Sequence, residues 1–252
     1  MSERDQGPHR GDSPGLHPGD SPGLDLGELS RTRDGQPLRL DRRLFFQLLV
    51  FGGARGSAPL RAALERCGTC AVLYEDLHDP GGVGVLTLSE RPEALVELRA
   101  LYHETFADLT PRPELGMIGR TYALGFEADL EEALLERPRR RVLDPANRWA
   151  IWYPLRRSPA FEQLDAAEQH EIMAEHGMLA RSFGQAGVVA DVRLSCHGLD
   201  RNDNDFVIGL VGAELAPLSK LVQAMRKTRQ TAHYLDSLGP FFVGRAVWQS
   251  TP

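Results

Sequence analysis

The chain has 252 residues, of which 42% are hydrophobic and 25% charged, and its net charge of −6 argues against a general nucleic-acid binder. Three cysteines are too few for a disulfide framework, and no run approaches the ~18 apolar residues of a membrane span. Because the N-terminus carries no apolar stretch either, we expect no secretory signal, a cytoplasmic location, no membrane span and no nucleic-acid partner.

The first 37 residues differ in composition from the rest of the chain. They contain few large apolar side chains and repeat the hexapeptide GDSPGL at residues 11–16 and 19–24. A segment of this kind buries too little surface to offset the entropy of ordering it. We therefore predict that residues 1–37 form a disordered Gly/Pro-rich tail, with a docking arm for a partner subunit as the alternative.

From residue 38 onward the apolar residues follow regular patterns, which predict a first unit over residues 38–148. Ser57 is predicted to be the N-cap of its first helix. The predicted strands are 44–51, 71–77, 84–88 and 117–126, and the predicted helices are 57–66, 91–109 and 129–137.

The second unit, residues 149–252, repeats the same order of elements. Asp165 is a predicted N-cap, with Glu168 three residues later as in a capping box. The predicted strands are 149–155, 191–196, 206–211 and 241–247, and the predicted helices are 166–183 and 217–235. Each unit is therefore β-α-β-β-α-β, and the fold class is α+β: a duplicated ferredoxin-like dimeric α+β barrel, with two halves in one chain.

Two short motifs have the spacing of known sites but the wrong context. Cys67 and Cys70 form a CxxC pair, yet the pair follows a helix, whereas a reactive pair usually lies at a helix N-terminus. A zinc site needs a second pair, and only Cys196 remains. The glycines at 81–84 precede a strand rather than a helix, which is typical of a hairpin turn and not of a dinucleotide site. We interpret the cysteines as structural.

The histidines offer one candidate metal ligand. His170 and His176 are six residues apart, so about 600° of helix separates them and they cannot bind one ion together. His176 lies on the predicted helix of the second half and is followed by Gly177, which leaves room for a flat ligand. Residue chemistry alone leaves two interpretations open: an ordinary core or surface histidine, or the axial ligand of a haem iron.

Arginines flank the strand that carries two aromatic residues. Residues 139–141 are all arginine and precede Trp152 and Tyr153, which are followed by Arg156 and Arg157. One interpretation is a solvated basic run. The other is a clamp for an anionic flat ligand beside a redox-capable tyrosine, because arginine pairs with carboxylates in a bidentate way.

Five segments of the second half occur in a recognisable order: YPLRR at 153–157, MAEHG at 173–177, GLD at 198–200, AMR at 224–226 and GPFFVG at 239–244. Together they resemble the chlorite dismutase family, particularly its coproheme decarboxylase (HemQ-type) branch. The resemblance is strong over residues 149–248, weak over 45–148 and absent from the tail. It implies the barrel described above, assembled as a homopentamer, with haem in the C-terminal half.

The resemblance also assigns roles to individual residues. His176 matches the proximal haem ligand, and Tyr153 matches the tyrosine that becomes a radical during decarboxylation. The propionates of the porphyrin are expected to contact Arg139, Arg157 and Thr231, and the pocket is expected to be lined by Trp152 and Met178.

The residue opposite the proximal ligand departs from the family pattern. It is usually Arg in chlorite dismutases and often Gln in the decarboxylases. Counting back from Gly198 places Asp191 there, whereas counting forward from His176 places Val189 there. Arg193 is expected to reach this side only through a β-bulge or a shifted register.

The leading functional hypothesis from the resemblance is a haem-dependent oxidoreductase. The implied reaction is the peroxide-driven oxidative decarboxylation of iron coproporphyrin III (coproheme) to haem b, so hydrogen peroxide and the porphyrin would be its partners. The alternatives are a haem peroxidase or chlorite-decomposing enzyme, a non-catalytic haem-binding module, and a barrel that has lost haem.

Overall fold

The structure is a computed structural model that describes residues 25–251. Buried and less buried residues alternate along the first part of strand Phe45–Gly52 and along Met117–Arg120, because successive side chains of a strand point to opposite faces. Strands Ala71–Asp76, Val83–Ser89 and Trp149–Arg157 are buried along most of their length, which indicates that both of their faces are covered. The strands are β1 (Glu28–Arg31), β2 (Pro37–Leu40), β3 (Phe45–Gly52), β4 (Ala71–Asp76), β5 (Val83–Ser89), β6 (Thr110–Pro111), β7 (Met117–Arg120), β8 (Trp149–Arg157), β9 (Ala190–Ser195), β10 (Phe206–Gly212), β11 (Leu235–Leu238) and β12 (Phe242–Gln249).

In chain order, the helices fall mainly between the strands of each half. The predicted cap of the longest helix is confirmed: Asp165 accepts hydrogen bonds from the backbone N–H groups of Ala167 and Glu168, both at 2.9 Å. The helices are α1 (Ala58–Cys67), α2 (Pro92–Glu97), α3 (Arg99–Thr105), α4 (Arg137–Leu143), α5 (Pro159–Glu162), α6 (Ala166–Gln185), α7 (Leu215–Met225) and α8 (Arg229–His233), with a 3₁₀ turn at Pro113–Leu115 and a π-helical turn at Glu132–Glu136.

The strand order confirms the duplicated ferredoxin-like fold. In the first half the order is β7-β3-β5-β4, and in the second half it is β12-β8-β10-β9. If the four strands of each half are numbered along the chain, both orders are 4-1-3-2, which is the order of a ferredoxin-like sheet. The predicted division at residue 148 falls between α4 and β8.

Two seams join the halves into a closed barrel. At one seam β4 pairs with β12 through five residue pairs, with a register shift between Ala246 and Trp248. At the other seam β7 pairs with β9 through a single pair, Arg120 with Ser195. The two seams therefore differ in the number of backbone contacts that hold them.

The barrel interior is filled by large side chains from both halves. The Trp152 indole is 1% exposed, and its ring centroid lies 6.5 Å from that of Phe46 in the first half. Gly209 is the register partner of Trp152 on β10, and a Cβ atom there would overlap the indole. Glycine is therefore required at this position for Trp152 to fill the interior.

The outer face of each half is covered by its own helices. On the first half, α1 and α3 pack with residues such as Leu64 and Phe106 against β4 and β5. On the second half, α7 packs on β8 and β10, α6 packs on β9, and residues of both helices pack against the cluster that includes Tyr153. A strand thus directs alternate residues to the barrel interior and to a layer between sheet and helices, and this decides which residues can meet a ligand in that layer.

The N-terminal boundary requires a correction to the predicted tail. Residues 1–24 lie outside the described residues, but residues 28–31 form β1, which pairs antiparallel with β2. Glu28 anchors this hairpin: its carboxylate accepts hydrogen bonds from the Arg120 side chain at 2.7 Å and from the Ala123 backbone N–H at 2.9 Å. Polar anchoring, which the apolar pattern does not report, orders this segment.

Replacing Glu28 by alanine should lower the free energy of unfolding by about 1–3 kcal/mol, because the change leaves a partly buried N–H and an arginine without their acceptor. Urea unfolding followed by circular dichroism measures the loss. The matched control is Glu65→Ala, which removes an exposed pair with Arg61 four residues away and should cost less than about 0.5 kcal/mol. Equal losses in the two variants would show that Glu28 is not an anchor.

Several predicted elements differ in extent from the observed ones. The predicted helix 91–109 is interrupted at Leu98 between α2 and α3, and the predicted helix 217–235 ends at Met225, with a separate α8 and then β11. The predicted strand 117–126 ends at Arg120, since Glu127 accepts hydrogen bonds from the next loop's backbone. Ser57 precedes α1, but its hydroxyl donates to Glu75 and does not cap the helix.

Within residues 25–251, none of the helices is long and apolar enough to cross a lipid bilayer.

Candidate functional site

Tyr153 and Arg193 lie on one row of the sheet, on the outer face of the second half. Tyr153 on β8 pairs in register with Ile208 on β10, which in turn pairs with Arg193 on β9. The next row contains Asp191, opposite Leu210. The β9–β10 pairing is regular, so Arg193 reaches the same face as Tyr153 without the bulge or register shift that we expected to be necessary.

His176 lies on α6, the helix that covers this face. Residues at spacings of three and four share a helix face, and Leu179, Ala180 and Phe183 on the same face as His176 pack against the residue cluster that includes Tyr153. The His176 Nδ1 atom lies 3.2 Å from the Thr228 hydroxyl oxygen. Thr228 immediately precedes α8, so the interruption between α7 and α8 brings this hydroxyl to the histidine.

The protonation of His176 follows from its surroundings. Burial lowers the pKa of the imidazole, and the positive charges of Arg193 and Arg157 lower it further. The ring is therefore neutral at neutral pH. A neutral imidazole has one nitrogen with a free lone pair, which is the state that binds a metal ion.

Tyr153 is buried beneath the helix layer. Its ring stacks on Phe241 with centroids 4.7 Å apart and planes inclined by 27°. Burial raises the pKa of the phenol, and the negative charge of Asp191 raises it further. The hydroxyl therefore keeps its proton over the physiological pH range, and any oxidation at this oxygen must release the proton together with the electron.

Arg157, at the end of β8, has an incompletely satisfied guanidinium group. It lies over the Phe161 ring at 4.4 Å and the Phe206 ring at 5.0 Å, and one of its nitrogens approaches the Met173 sulfur at 3.8 Å. Glu162 is its acidic neighbour at 3.7 Å. Its Nε atom is buried and has no hydrogen-bond partner among residues 25–251. A buried donor without a partner is a position where an anionic ligand would be favoured.

Asp191 is held between two arginines. Its carboxylate lies 3.0 Å from the Arg141 guanidinium and 3.1 Å from Nε of Arg193. Arg141 also donates to the backbone carbonyl of Asp191, and burial lowers the pKa of its guanidinium. The charge of Asp191 is thus compensated inside the protein, while Arg193 remains half exposed.

Three residues predicted for the site lie elsewhere. Arg139 faces the first half, where it pairs with Glu136 at 3.3 Å and Glu90 at 3.7 Å. Trp152 fills the barrel interior, because neighbouring strand residues point to opposite faces and Tyr153 takes the helix side. Met178 is 64% exposed, since two residues along α6 from His176 correspond to a rotation of about 200°. The structure thus places these three side chains away from the face shared by Tyr153, Arg193 and α6.

The other predicted residues lie together or close to one another. Val189, the second distal candidate, is buried among the residues packed against α7. The hydroxyl oxygen of Thr231 lies 3.4 Å from that of Thr228, which contacts His176. Tyr153, Asp191 and Arg193 lie on one face of the second-half sheet, His176 lies on the α6 helix that packs against this face, and Arg157 at the end of β8 contacts Met173 of α6.

Three residues of the site were not predicted, and a fourth, Arg141, was noted only within the run of arginines at 139–141. Thr228 contacts His176, Arg141 holds Asp191, Met173 contacts Arg157, and Tyr122 packs on Phe206 with ring centroids 5.6 Å apart. Helical spacing could have indicated Met173, which is three residues before His176. The other three depend on contacts between distant segments, and no local pattern in the sequence reports them.

The cysteines are not gathered into a site. All three are free thiols: Cys67 is exposed, Cys70 partly buried and Cys196 buried. Burial raises the pKa of the Cys70 thiol, which is the opposite of the shift that activates a redox pair. In the part of the chain that the structure describes, no three His, Cys, Asp or Glu residues are grouped to hold a metal ion.

A family comparison places most of the chain in a known group. The sequence pattern of the family described as chlorite dismutase matches residues 92–247. None of the curated proteins matches the chain.

Solved structures share the fold at low sequence identity. The provisionally named chlorite dismutase TA0507 has a TM-score of 0.66 at 16% identity, covering 82% of this chain and 95% of the other. A haem-binding protein from Thermus thermophilus has a TM-score of 0.62 at 18% identity, covering 82% and 92%. A chlorite dismutase from Candidatus Nitrospira defluvii in complex with imidazole has a TM-score of 0.60 at 15% identity, with the same coverage. At these identities the likeness concerns the fold alone.

Proposed function

This chain belongs to the chlorite dismutase family, and we propose that it binds an iron porphyrin between the second-half sheet and helix α6, where His176 would hold the iron. The observation that carries the proposal is the position of His176, which lies on the helix face that packs against the cluster containing Tyr153, in the same row of the sheet as Arg193. A neutral imidazole is the commonest protein ligand of haem iron.

The residues present fit such a group. A Cβ atom on Gly177, next to the histidine, would meet no atom within 4 Å, so the backbone there has open space beside it. The unpartnered Nε of Arg157 can donate to a porphyrin carboxylate, and Thr231 adds a hydroxyl close to the His176–Thr228 pair. Arg139, paired with two glutamates, is left out of this carboxylate set.

We further propose that the porphyrin is a substrate, iron coproporphyrin III, and that the product is haem b. In this reaction a propionate side chain and one hydrogen peroxide give a vinyl group, carbon dioxide and two waters. The C–COOH bond and one C–H bond on the carbon nearer the ring break, and the two electrons reduce the O–O bond of peroxide. The bound iron supplies the redox chemistry with peroxide.

Tyr153 would remove the hydrogen atom from the propionate. Its buried, protonated phenol can lose an electron and a proton together and then regain a hydrogen atom from carbon. Stacking on Phe241 fixes the ring on the ligand side of β8, and Arg157 would hold a carboxylate in reach. The negative charge of Asp191 helps to keep the phenol protonated, because it raises the pKa of Tyr153 beyond the effect of burial.

A second function is favoured by one specific residue. Arg193 lies in the same row as Tyr153 and is half exposed, so its guanidinium could retain an anionic oxidant such as chlorite. Asp191 competes for this guanidinium at 3.1 Å, which reduces its availability to an external anion. For this reason we place decarboxylation before chlorite decomposition, and a non-catalytic porphyrin-binding role after both.

The purified protein should bind coproheme in a one-to-one complex with a shifted Soret band, and added hydrogen peroxide should release carbon dioxide from two propionates. Absorption titration measures the binding, and mass spectrometry of the extracted porphyrin counts the carboxylates lost. Release of dioxygen from chlorite, with intact propionates after peroxide, would support the second function. Binding without either reaction would leave a non-catalytic module, and the absence of binding would refute the proposal as a whole.

A further inference from the structure

The contacts of the Thr228 hydroxyl determine which nitrogen of His176 carries the proton. A threonine hydroxyl has a single hydrogen. Thr228 donates it to the carbonyl oxygen of Met225 at 2.8 Å, in the last turn of α7. Toward His176 Nδ1, at 3.2 Å, the same oxygen can therefore only accept. The hydrogen between the two side chains is therefore on Nδ1, which leaves Nε2 as the nitrogen whose lone pair can bind a metal ion.

The position of Thr228 makes this contact well defined. Thr228 is 4% exposed, so water does not compete freely for its oxygen. The contact joins α6 to the segment between α7 and α8, and Arg229 reinforces the junction from outside through ion pairs of 3.1 Å with both Glu171 and Glu175. The helix carrying His176 is thus fixed relative to its acceptor.

We infer that Thr228 is the positioning residue of the proposed iron ligand: it orients the His176 ring and selects the tautomer that presents Nε2 to the metal. This inference rests on the proposed function for its consequence, but the tautomer is a property of the protein alone. Because the acceptor is a neutral hydroxyl whose own hydrogen is already donated, it does not draw the proton off Nδ1 as a carboxylate would. The ligand is therefore a neutral imidazole with little imidazolate character.

The tautomer can be measured before any porphyrin is added. Long-range ¹H–¹⁵N correlation spectra of the ¹⁵N-labelled protein distinguish a protonated Nδ1 from a protonated Nε2. We expect the Nδ1–H form for His176 in the wild-type protein. In Thr228→Val, which keeps the side-chain shape and lacks the acceptor, we expect a mixture or the Nε2–H form, and Thr228→Ser should restore the wild-type spectrum. A wild-type protein in the Nε2–H form would overturn the inference without reference to any variant.

Haem titration of the same variants tests the consequence for ligation. Thr228→Val should weaken haem binding by about 10- to 100-fold, the usual effect of removing the partner of a metal-ligating histidine, and Thr228→Ser should bind as the wild type does. The matched control is Ser182→Ala on the same helix, which removes a hydroxyl bonded only to the Leu179 carbonyl and should change neither measurement. Circular dichroism confirms that each variant is folded. Unchanged affinity in Thr228→Val, with haem bound through His176, contradicts the positioning role. If the wild-type protein does not bind haem, the proposed function fails, while the tautomer measurement still decides the structural half of the inference.

Discussion

His176→Ala is expected to abolish specific binding of haem and coproheme while the fold remains intact. Loss of a metal ligand should exceed the 10- to 100-fold effect of losing its hydrogen-bond partner, so we expect an affinity at least about 100-fold weaker. The side chain makes one hydrogen bond, to Thr228, and its removal shortens a residue on the surface of a 20-residue helix that is capped at its N-terminus by Asp165. Absorption titration with hemin measures the binding, and circular dichroism checks the fold.

The matched control for this prediction lies on the same helix. His170 is exposed and six residues away, so about 600° of rotation directs it elsewhere. His170→Ala should therefore bind hemin as the wild type does. Exogenous imidazole should partly restore the Soret band of His176→Ala by occupying the vacated position. An unchanged Soret band and affinity in His176→Ala would refute the assignment of the axial ligand.

Tyr153→Phe should separate binding from reaction. Phenylalanine retains the ring that stacks on Phe241 at 4.7 Å, so coproheme affinity should stay within about tenfold, or ~1.4 kcal/mol, of the wild type. The variant cannot form the oxygen-centred radical, so most of the peroxide-driven release of carbon dioxide should disappear. Mass spectrometry of the porphyrin after a fixed number of peroxide additions measures the remaining activity.

A structural tyrosine would give the opposite result. Tyr153→Phe would then decarboxylate as the wild type does, and its stability would change little, because the structure shows no hydrogen bond to the Tyr153 hydroxyl within residues 25–251. The control is Tyr102→Phe in the first half, where the buried hydroxyl has no partner within residues 25–251 and packs on Phe51 and Phe106. Its removal should affect neither stability nor reaction by much, since an unpaired buried hydroxyl contributes no hydrogen bond. Full activity in Tyr153→Phe would exclude the radical role.

The arrangement of elements could be predicted because it is written in local patterns. Alternating apolar residues and Gly/Pro turns give the strands of both halves, and Asp165 marks the start of α6. The lengths of elements could not be predicted where tertiary contacts end them. The long predicted helix near the C-terminus is interrupted at the segment that contains Thr228, and its last residues belong instead to α8 and β11.

The site was predictable to the extent that it depends on residue type and family resemblance. His176, Tyr153 and Arg157 were predicted in this way, and the structure places them around the contact between α6 and the second-half sheet. Trp152 and Met178 were assigned because they lie near Tyr153 and His176 in the chain. Adjacent residues of a strand point to opposite faces, so Trp152 faces away from the side of Tyr153, and two residues along a helix correspond to about 200°, so Met178 faces away from the side of His176. Arg139 and Arg141 are two residues apart in one helix. Only the tertiary structure shows that it is Arg141 that forms an ion pair with Asp191.

The unequal seams of the barrel place the strands of the second half in different mechanical settings. The β4–β12 seam is joined by five residue pairs and the β7–β9 seam by one, so we expect the barrel to open more easily between β7 and β9 than between β4 and β12. Asp191 and Arg193 are on β9, a strand of the weaker seam. Tyr153 is on β8, which pairs with β12, a strand of the stronger seam. Arg193, which would meet an incoming anionic oxidant, thus lies beside the seam that opens more easily. Tyr153, which would remove the hydrogen atom, lies beside the more firmly paired seam.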